Sequence, residues 1–407
     1  MAVAIGAAIA ALSGVAVLAI TARSLTTEEN TAFLTFWAAL FAIFAVLSGI
    51  QSEVTRAVRA DRLHSSGQER ATSPIAAALV VGAGVAVLVV ALSPMWRLIL
   101  VGIDAPVLAV SLMAAASLLY AGHVASVGTF AGLGRWRAFG GLTAAESFVR
   151  LMFAVLAAYI GWGIAGFATA ASGGVLVWLA SSLLLPSWRT LWRVRVAISQ
   201  RALTARIVNA MAASGANALL VTGFPLLMSV TTDGAVYAGA APLVVAVSMS
   251  RAPLLIPITA FQSMVIATFV EHPERARSSL VRLVLAVLAV AVLGGSLAAL
   301  MGPWVMATVF GPSYANSSLV LGLLVSAAAF LALLVLGGAI ALALDEHTVN
   351  TVGWYLALAV SIAILLLPID LTTRTILALM IGPAVGSIVH FIFILRSLRR
   401  RDARNEV

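Results

Sequence analysis

VYAGAAPLVVAVSMSRAPLLIPITAFQSMVIATF, residues 236–269, decides the fold, because it is a long apolar run interrupted by a single charge, Arg251. As a helix with a rise of about 1.5 Å per residue it would be about 50 Å long, against a bilayer hydrocarbon core of about 30 Å. The run therefore predicts a segment that spans a membrane. Pro253 and Pro257 follow the charge and are expected to break or kink this helix.

Arg251 is the candidate ligand in this segment. An arginine at mid-membrane costs about 3 kcal/mol on insertion scales, so we expect it to face a bundle interior or a wet cavity. Its guanidinium stays protonated and can hold a phosphate through two parallel hydrogen bonds. The sequence predicts an anion-binding role for Arg251. The alternative is that snorkelling to the inner face or an intramolecular partner satisfies its charge.

The composition indicates a polytopic membrane protein. Of 407 residues, 62% are hydrophobic and 10% are charged. Cysteine is absent, which excludes disulfides, thiolate metal sites and cysteine nucleophiles. The five histidines are scattered and no catalytic or nucleotide-binding motif occurs, so we predict neither an enzyme, nor a metal site, nor a cofactor.

Hydropathy and loop punctuation predict an all-α protein of about twelve transmembrane helices. They lie near 2–21, 31–50, 74–93, 106–132, 139–160, 162–185, 207–228, 235–263, 280–300, 317–343, 351–368 and 373–395. Two short matches lie about half a chain apart: TTEENTAF (26–33) with TTDGAVYA (231–238), and QSEV (51–54) with QSMV (262–265). We therefore predict two six-helix lobes, with the substrate path at their interface.

The predicted lobes occupy residues 1–185 and 207–395. Residues 186–206 form a basic linker that can be an amphipathic interfacial helix or a plain connection with tryptophan anchors, and residues 396–407 form a basic tail.

The distribution of arginine predicts the topology. All 24 basic residues are Arg. Nineteen follow the even-numbered spans and three lie in the opposite loops, at Arg23, Arg97 and Arg374. By the positive-inside rule both termini are cytoplasmic, and the net charge of +9 reflects membrane topology rather than a nucleic-acid partner.

Further polar residues in or near the spans are candidates for a site. Glu146 and Arg150 are four residues apart, in the favourable order for an intrahelical ion pair. Facing a cavity, Arg150 could bind an anion and Glu146 a coupling proton or cation; alternatively the two neutralise each other and brace the lobe.

For each of the remaining candidates, a role in topology or helix packing is the alternative to substrate binding. Arg56 could meet an anionic head group or serve only the positive-inside bias. Gln51, Gln262 and Asn217 could hydrogen-bond a sugar or bond helix to helix.

Four stretches resemble one family. ITARSLTTEENTAFLTF (20–36) resembles the turn between the first two spans of polysaccharide-export flippases, and SGIQSEVTRAV (48–58) resembles the end of their second span. GLGRWRAFGGLTAAESFVRLMFAVLA (132–157) resembles their turn between spans four and five. The best match is VFGPSYANSSLVLGLLVSAAAFLALLVLGGAIALAL (309–344), which resembles their tenth span.

These are the Wzx-like oligosaccharide flippases of the multidrug/oligosaccharidyl-lipid/polysaccharide exporter superfamily. The resemblance implies a central cavity between the lobes and alternating access that moves a polyprenyl-diphosphate-linked glycan across the bacterial inner membrane. It makes a cationic cavity at Arg251 plausible. The intramembrane acid of cation-coupled drug exporters is absent unless Glu146 fills that role.

The sequence thus favours a flippase for lipid-linked oligosaccharide in cell-surface polysaccharide biosynthesis. Its partners would be the glycan lipid, membrane lipids and a polysaccharide polymerase or glycosyltransferases. A drug, small-solute or cation antiporter of the same fold and a non-transporting scaffold of polysaccharide assembly are the alternatives.

Overall fold

The computed structural model describes residues 2–64, 72–100, 102–103, 105–186, 188–251, 269 and 276–405. Within these ranges the chain is helical, with one isolated antiparallel bridge between Thr72 and Val196 and no named strand. The predicted all-α class is confirmed. The helices group into two compact units, Met1–Leu226 and Leu227–Val407.

Among the described residues, unit 1 contains nine α-helices and the start of a tenth. They are α1 (Ala2–Ser24), α2 (Thr27–His64), α3 (Pro74–Ala91), α4 (Ser93–Ile99), α5 (Pro106–Gly132), α6 (Trp136–Tyr159), α7 (Gly163–Gly173), α8 (Leu176–Leu184), α9 (Gln200–Asn217) and α10 (Phe224–Val230), which crosses the boundary between the units.

Local sequence signals set several of these boundaries. Thr26 and Glu29 form a capping box at the start of α2: the Thr26 N–H donates to Glu29 Oε2 (2.8 Å) and the Glu29 N–H to Thr26 Oγ1 (3.3 Å). Ser73 caps α3 ahead of Pro74. The turn from α6 to α7 places Gly161 and Gly163 at φ of 66° and 60°, in the left-handed region that favours glycine.

Small residues let the helices of unit 1 approach closely. A Cβ on Gly6 of α1 would lie 2.6 Å from the Gly140 carbonyl oxygen of α6, and one on Gly128 of α5 would lie 2.7 Å from the Gln51 carbonyl oxygen of α2. A Cβ on Gly49 of α2 would lie 2.7 Å from the backbone nitrogen of Met211 in α9. Such contacts replace the hydrophobic drive that is missing between helices in lipid.

Unit 2 continues with six α-helices in the part of the chain that the structure describes. They are α11 (Gly234–Ala238), α12 (Ala241–Arg251), α13 (Ala276–Phe310), α14 (Ser318–Ala343), α15 (His347–Leu365) and α16 (Leu371–Asn405). Close glycine contacts recur, for example between Gly295 of α13 and the Gly322 carbonyl oxygen of α14 (2.9 Å from a Cβ). Arg374 of α16 donates to the carbonyl oxygens of Thr231 (3.1 Å) and Leu365 (2.7 Å), so it ties the end of α10 to the end of α15.

Nine helices in the described residues are long and apolar enough to cross a membrane, and two bent pairs would raise the number to eleven. The pairs are α7 with α8, bent by 48°, and α9 extended to Thr222 with α10, bent by 79°. The predicted eighth span, 235–263, lies partly outside the described residues. The chain is a multi-pass membrane protein; the count of twelve spans stays a prediction.

The predicted lobe bounds, 1–185 and 207–395, stay a prediction, and the compact units divide the chain at another place. Helix α9 begins at Gln200, ahead of the predicted span start at 207, and packs on α2 and α3 of unit 1. The boundary between the compact units therefore falls after Leu226 rather than in the basic linker. In place of an amphipathic α-helix, the linker has a 3₁₀ turn at Arg189–Arg193, with Trp188 against Phe130 and Trp192 against Trp178.

Candidate functional site: a polar cavity within unit 1

Helices α1, α2, α5 and α6 line an open cavity of about 300 Å³ within unit 1. Its walls combine apolar and aromatic side chains with several polar ones. The lining residues are Ala10, Gly14, Trp37, Phe41, Phe44, Gln51, Tyr120, His123, Val124, Val127, Thr143, Glu146, Ser147 and Arg150. Because these residues lie on membrane-spanning helices, the cavity is a polar compartment at membrane depth, where polar groups mark functional sites by default.

The Glu146–Arg150 ion pair is the charged centre of the cavity. Arg150 Nη2 donates to Glu146 Oε1, and Ser147 Oγ donates to Glu146 Oε2 (3.1 Å). The two residues are one turn apart on α6 and are 5% and 6% exposed. The intrahelical ion pair is the one expected from the sequence, and a charge taken so far out of water requires such compensation.

Gly174, at the break between α7 and α8, makes room for this pair. A Cβ at Gly174 would lie 2.9 Å from the Glu146 carbonyl oxygen and 3.0 Å from Glu146 Oε1. The break therefore brings backbone, with no side chain, against the carboxylate.

Aromatic rings of α2 also contact the Arg150 guanidinium. Arg150 Cζ lies 4.7 Å from the Phe41 ring centre and 5.8 Å from that of Trp37. The two rings stack on each other at 4.3 Å. Cation–π contacts of this kind add about 0.5–2 kcal/mol each, the larger value where the site is desolvated. Arg150 is thus fixed by two rings as well as by Glu146.

Helix α5 contributes a second aromatic wall. Tyr120 stacks on Phe44 of α2 at 3.9 Å and on the ring of His123 at 5.5 Å. His123 Nδ1 and Arg150 Nε are both buried and have no hydrogen-bond partner among the described residues. Buried polar atoms normally have partners, so these two point to hydrogen-bonding capacity that a guest molecule or water can use.

Three of the predicted site residues therefore meet in one cavity: Gln51, Glu146 and Arg150. Arg56 lies outside it, in the C-terminal part of α2, where its side chain is 68% exposed and pairs with Glu53 at 3.1 Å. Asn217 ends α9 and is not part of the lining either.

The remaining two predicted residues belong to unit 2 or its surroundings. Arg251 ends the described part of α12 and is 6% exposed, so it is buried as expected. Gln262, Pro253 and Pro257 lie outside the described residues.

Sequence reasoning missed the aromatic wall. Phe33, Trp37, Phe41 and Phe44 recur at helical spacing along α2 and follow one another in ring contact. That spacing was the available signal, although it is equally typical of plain packing. No group of three metal-ligating side chains occurs among the described residues.

Comparisons with known proteins give both relatives and a fold. No family model matches the chain. The Mycobacterium tuberculosis protein named "Uncharacterized protein Rv3630" is 35% identical over 393 residues, covering 96% of this chain and 90% of its own length. A second protein of that organism, "Uncharacterized protein Rv1510", is 34% identical over 374 residues, covering 92% and 86%.

Among solved structures, an inward-facing multidrug resistance MATE family transporter of the MOP superfamily matches with a TM-score of 0.74 at 16% identity, covering 96% of each chain. A MOP superfamily transporter from Pyrococcus furiosus, described as having a binding pocket of reverse polarity, matches with a TM-score of 0.68 at 15% identity, covering 98% of this chain and 94% of its own. These likenesses give the fold: two helical lobes, as predicted. The chain belongs to the family of the mycobacterial proteins Rv3630 and Rv1510, and it has the fold of the MATE transporters of the MOP superfamily.

Proposed function

We propose that this protein moves a polyprenyl-diphosphate-linked oligosaccharide across the bacterial inner membrane by alternating access, for cell-surface polysaccharide biosynthesis. The fold supports membrane transport without enzymatic chemistry. The observation that carries the proposal is the mixed polar and aromatic cavity inside unit 1.

The lining of this cavity suits a sugar. A sugar ring carries hydroxyl groups that both donate and accept hydrogen bonds, and C–H faces that pack on aromatic rings. The cavity offers donors on Arg150, acceptors on Glu146, and both on Gln51. Thr143 adds an acceptor, since its hydroxyl donates to the Phe139 carbonyl oxygen (3.1 Å), and α2 and α5 add aromatic rings. Its volume of about 300 Å³ is at the lower end for small-ligand sites, so it would take part of the glycan.

The diphosphate requires cationic groups. Arg251 is buried and carries the fork of donors that matches a phosphate, so we assign it to the diphosphate in the transport cycle. The lipid tail would stay in the bilayer. Gln262 and Asn217 stay predictions as further sugar ligands.

A cation antiporter of the same fold is the second candidate, since Glu146 is a buried intramembrane acid. Its carboxylate is already neutralised by Arg150, which favours cargo that does not need a free negative charge.

Depletion of the protein tests the proposal. We expect a polyprenyl-diphosphate oligosaccharide to accumulate and to stay protected from a glycan-modifying enzyme added from outside. Complementation with Arg251→Ala or Arg150→Gln should fail at normal membrane levels, whereas Arg97→Ala, on the exposed helix α4, should complement. An unchanged glycan-lipid pool with raised sensitivity to cationic compounds would instead establish the antiporter.

A further inference from the structure

We propose that the cavity of unit 1 binds a proton and an oxyanion together, the proton on the Glu146 carboxylate and the oxyanion on the Arg150 guanidinium that protonation releases. The inference rests on the proposed function in one respect: in the cell, the oxyanion would belong to the transported molecule, as the diphosphate of its lipid carrier or the carboxylate of an acidic sugar.

The first step of the argument concerns the charged side chains that line the cavity. The described lining contains one arginine, Arg150, and one carboxylate, Glu146, and the two side chains form an ion pair. An oxyanion that enters therefore meets a neutral pair, in which Glu146 already occupies the guanidinium. Adding a third, uncompensated charge to a buried pair is strongly unfavourable. If Glu146 takes up a proton, its negative charge disappears and the oxyanion can replace it as the partner of Arg150.

Arg150 is held independently of Glu146, which is the second step. Its guanidinium lies over Phe41 and within reach of Trp37, and its Nε has no hydrogen-bond partner among the described residues. The Arg150 guanidinium therefore keeps its position when the Glu146 carboxylate no longer pairs with it, and its N–H groups are then available to an oxyanion. The neutral carboxyl retains Ser147 as a neighbour (3.1 Å from Ser147 Oγ to Glu146 Oε2).

The other ionisable groups around Glu146 within unit 1 are few. Helix α5 presents Tyr120 and His123 to the cavity, and α2 presents the neutral Gln51. The segments of α1, α7 and α8 packed on α6 bring no ionisable side chain, since α7 and α8 contain none and Arg23 of α1 lies at its far end. His123 is thus the one rival acceptor for the proton in the described lining, and a variant can separate the two.

The proposal has a definite thermodynamic signature. If one proton is taken up for each oxyanion bound, apparent affinity rises about tenfold for each unit by which pH falls, as long as Glu146 is ionised in the empty cavity. Glu146→Gln imitates the protonated state. It should bind the oxyanion tightly at every pH, with no pH dependence. Arg150→Gln should lose binding at every pH.

The experiment is calorimetric titration of the full-length protein in lipid nanodiscs, at pH values one unit apart between pH 5 and 8, with P¹,P²-dimethyl diphosphate in one arm and glucuronate in the other. Both probes keep a constant charge over this range, so a change of affinity with pH reports on the protein. The arm that binds with the proton-linked slope identifies the source of the oxyanion. Glu53→Gln is the matched control, because Glu53 is also buried and paired with an arginine but does not line the cavity. It should keep the slope of the parent protein, and thermal unfolding of every variant checks folding.

Three results would overturn the proposal: binding of neither probe, binding that does not change with pH in the parent protein, or full binding by Arg150→Gln. Loss of the slope in His123→Gln, with the slope kept in Glu146→Gln, would move the proton to His123 and reject the assignment to Glu146. These outcomes are separate from the glycan-lipid pool after depletion, which tests transport itself.

Discussion

Gly14 of α1 lies on the wall of the unit 1 cavity, where an added Cβ would meet no atom within 4 Å. A larger side chain there can extend into the empty space without displacing a helix. We predict that Gly14→Phe blocks the cavity and abolishes complementation, while thermal unfolding stays close to that of the parent protein. Gly141→Phe is the control, since Gly141 on α6 is exposed, is equally uncrowded and does not line the cavity. Equal complementation by both variants would contradict a role for this cavity in transport.

Gly174 gives the opposite case, because its surroundings are full. A Cβ there would lie 2.9 Å from the Glu146 carbonyl oxygen and 3.0 Å from Arg150 Cβ, so backbone must shift. We predict that Gly174→Ala lowers the free energy of unfolding by about 1–3 kcal/mol, as overpacking does. Gly84→Ala, in α3 with no atom near its added Cβ, should be neutral or stabilise by up to about 1 kcal/mol. Chemical denaturation in detergent compares the two, and equal stabilities would refute the close packing on the ion pair.

At the residue scale, the sequence predicts a contact within one helix better than it predicts which residues of different helices meet. The spacing of Glu146 and Arg150 on a helix sufficed to foresee their contact, because neighbours one turn apart meet in any α-helix. Their meeting with Gln51 and Trp37 depends on how α6 packs against α1 and how α2 packs against α5, which depends in turn on glycine contacts such as that of Gly128. Such tertiary contacts leave no periodic signal in one sequence.

Among the elements, uninterrupted apolar runs were predicted well and broken ones poorly. Helices α5, α14 and α15 follow the hydropathy pattern to within a few residues. The breaks at Gly173–Gly174 and at the π-helical turn Ala218–Thr222 were not foreseen, since a hydropathy window averages across a bend. The first of these breaks borders the Glu146–Arg150 pair, because Gly174 packs against both residues.

The packing of α14, α15 and α16 around His390 leads to a prediction about stability. His390 of α16 is fully buried against Gly337 and Gly338 of α14 and Gly353 of α15, and its Nε2 lies 3.2 Å from the Asn350 carbonyl oxygen. A Cβ on Gly353 would overlap the imidazole, so Gly353→Ala should cost about 1–3 kcal/mol of stability. In a His390→Ala background the same change should cost much less, because the ring is gone. A double-mutant cycle from denaturation measures the coupling, and additive effects would contradict the packing.

For the whole molecule, the half-chain repeat and the arginine bias were informative for different reasons. The repeat foresaw two helical units, although the units divide after Leu226 because α9 packs on α2 and α3. The order of hydrophobic segments cannot reveal which unit α9 packs on, because a membrane-spanning helix is apolar whichever unit it joins. The arginine bias concerns orientation in the membrane, which depends on insertion rather than on packing.

Orientation is open to a direct test because the chain contains no cysteine, so a single introduced thiol is labelled without background. Helix α6 is 24 residues long, about 36 Å, which is enough to cross the hydrocarbon core. Arg135 is exposed at its start, and Tyr159, 87% exposed, ends it. With cytoplasmic termini, a membrane-impermeant maleimide should label Tyr159→Cys in intact spheroplasts and Arg135→Cys only after permeabilisation. The reverse pattern would place the arginine-rich loops outside and contradict the predicted cytoplasmic position of both termini.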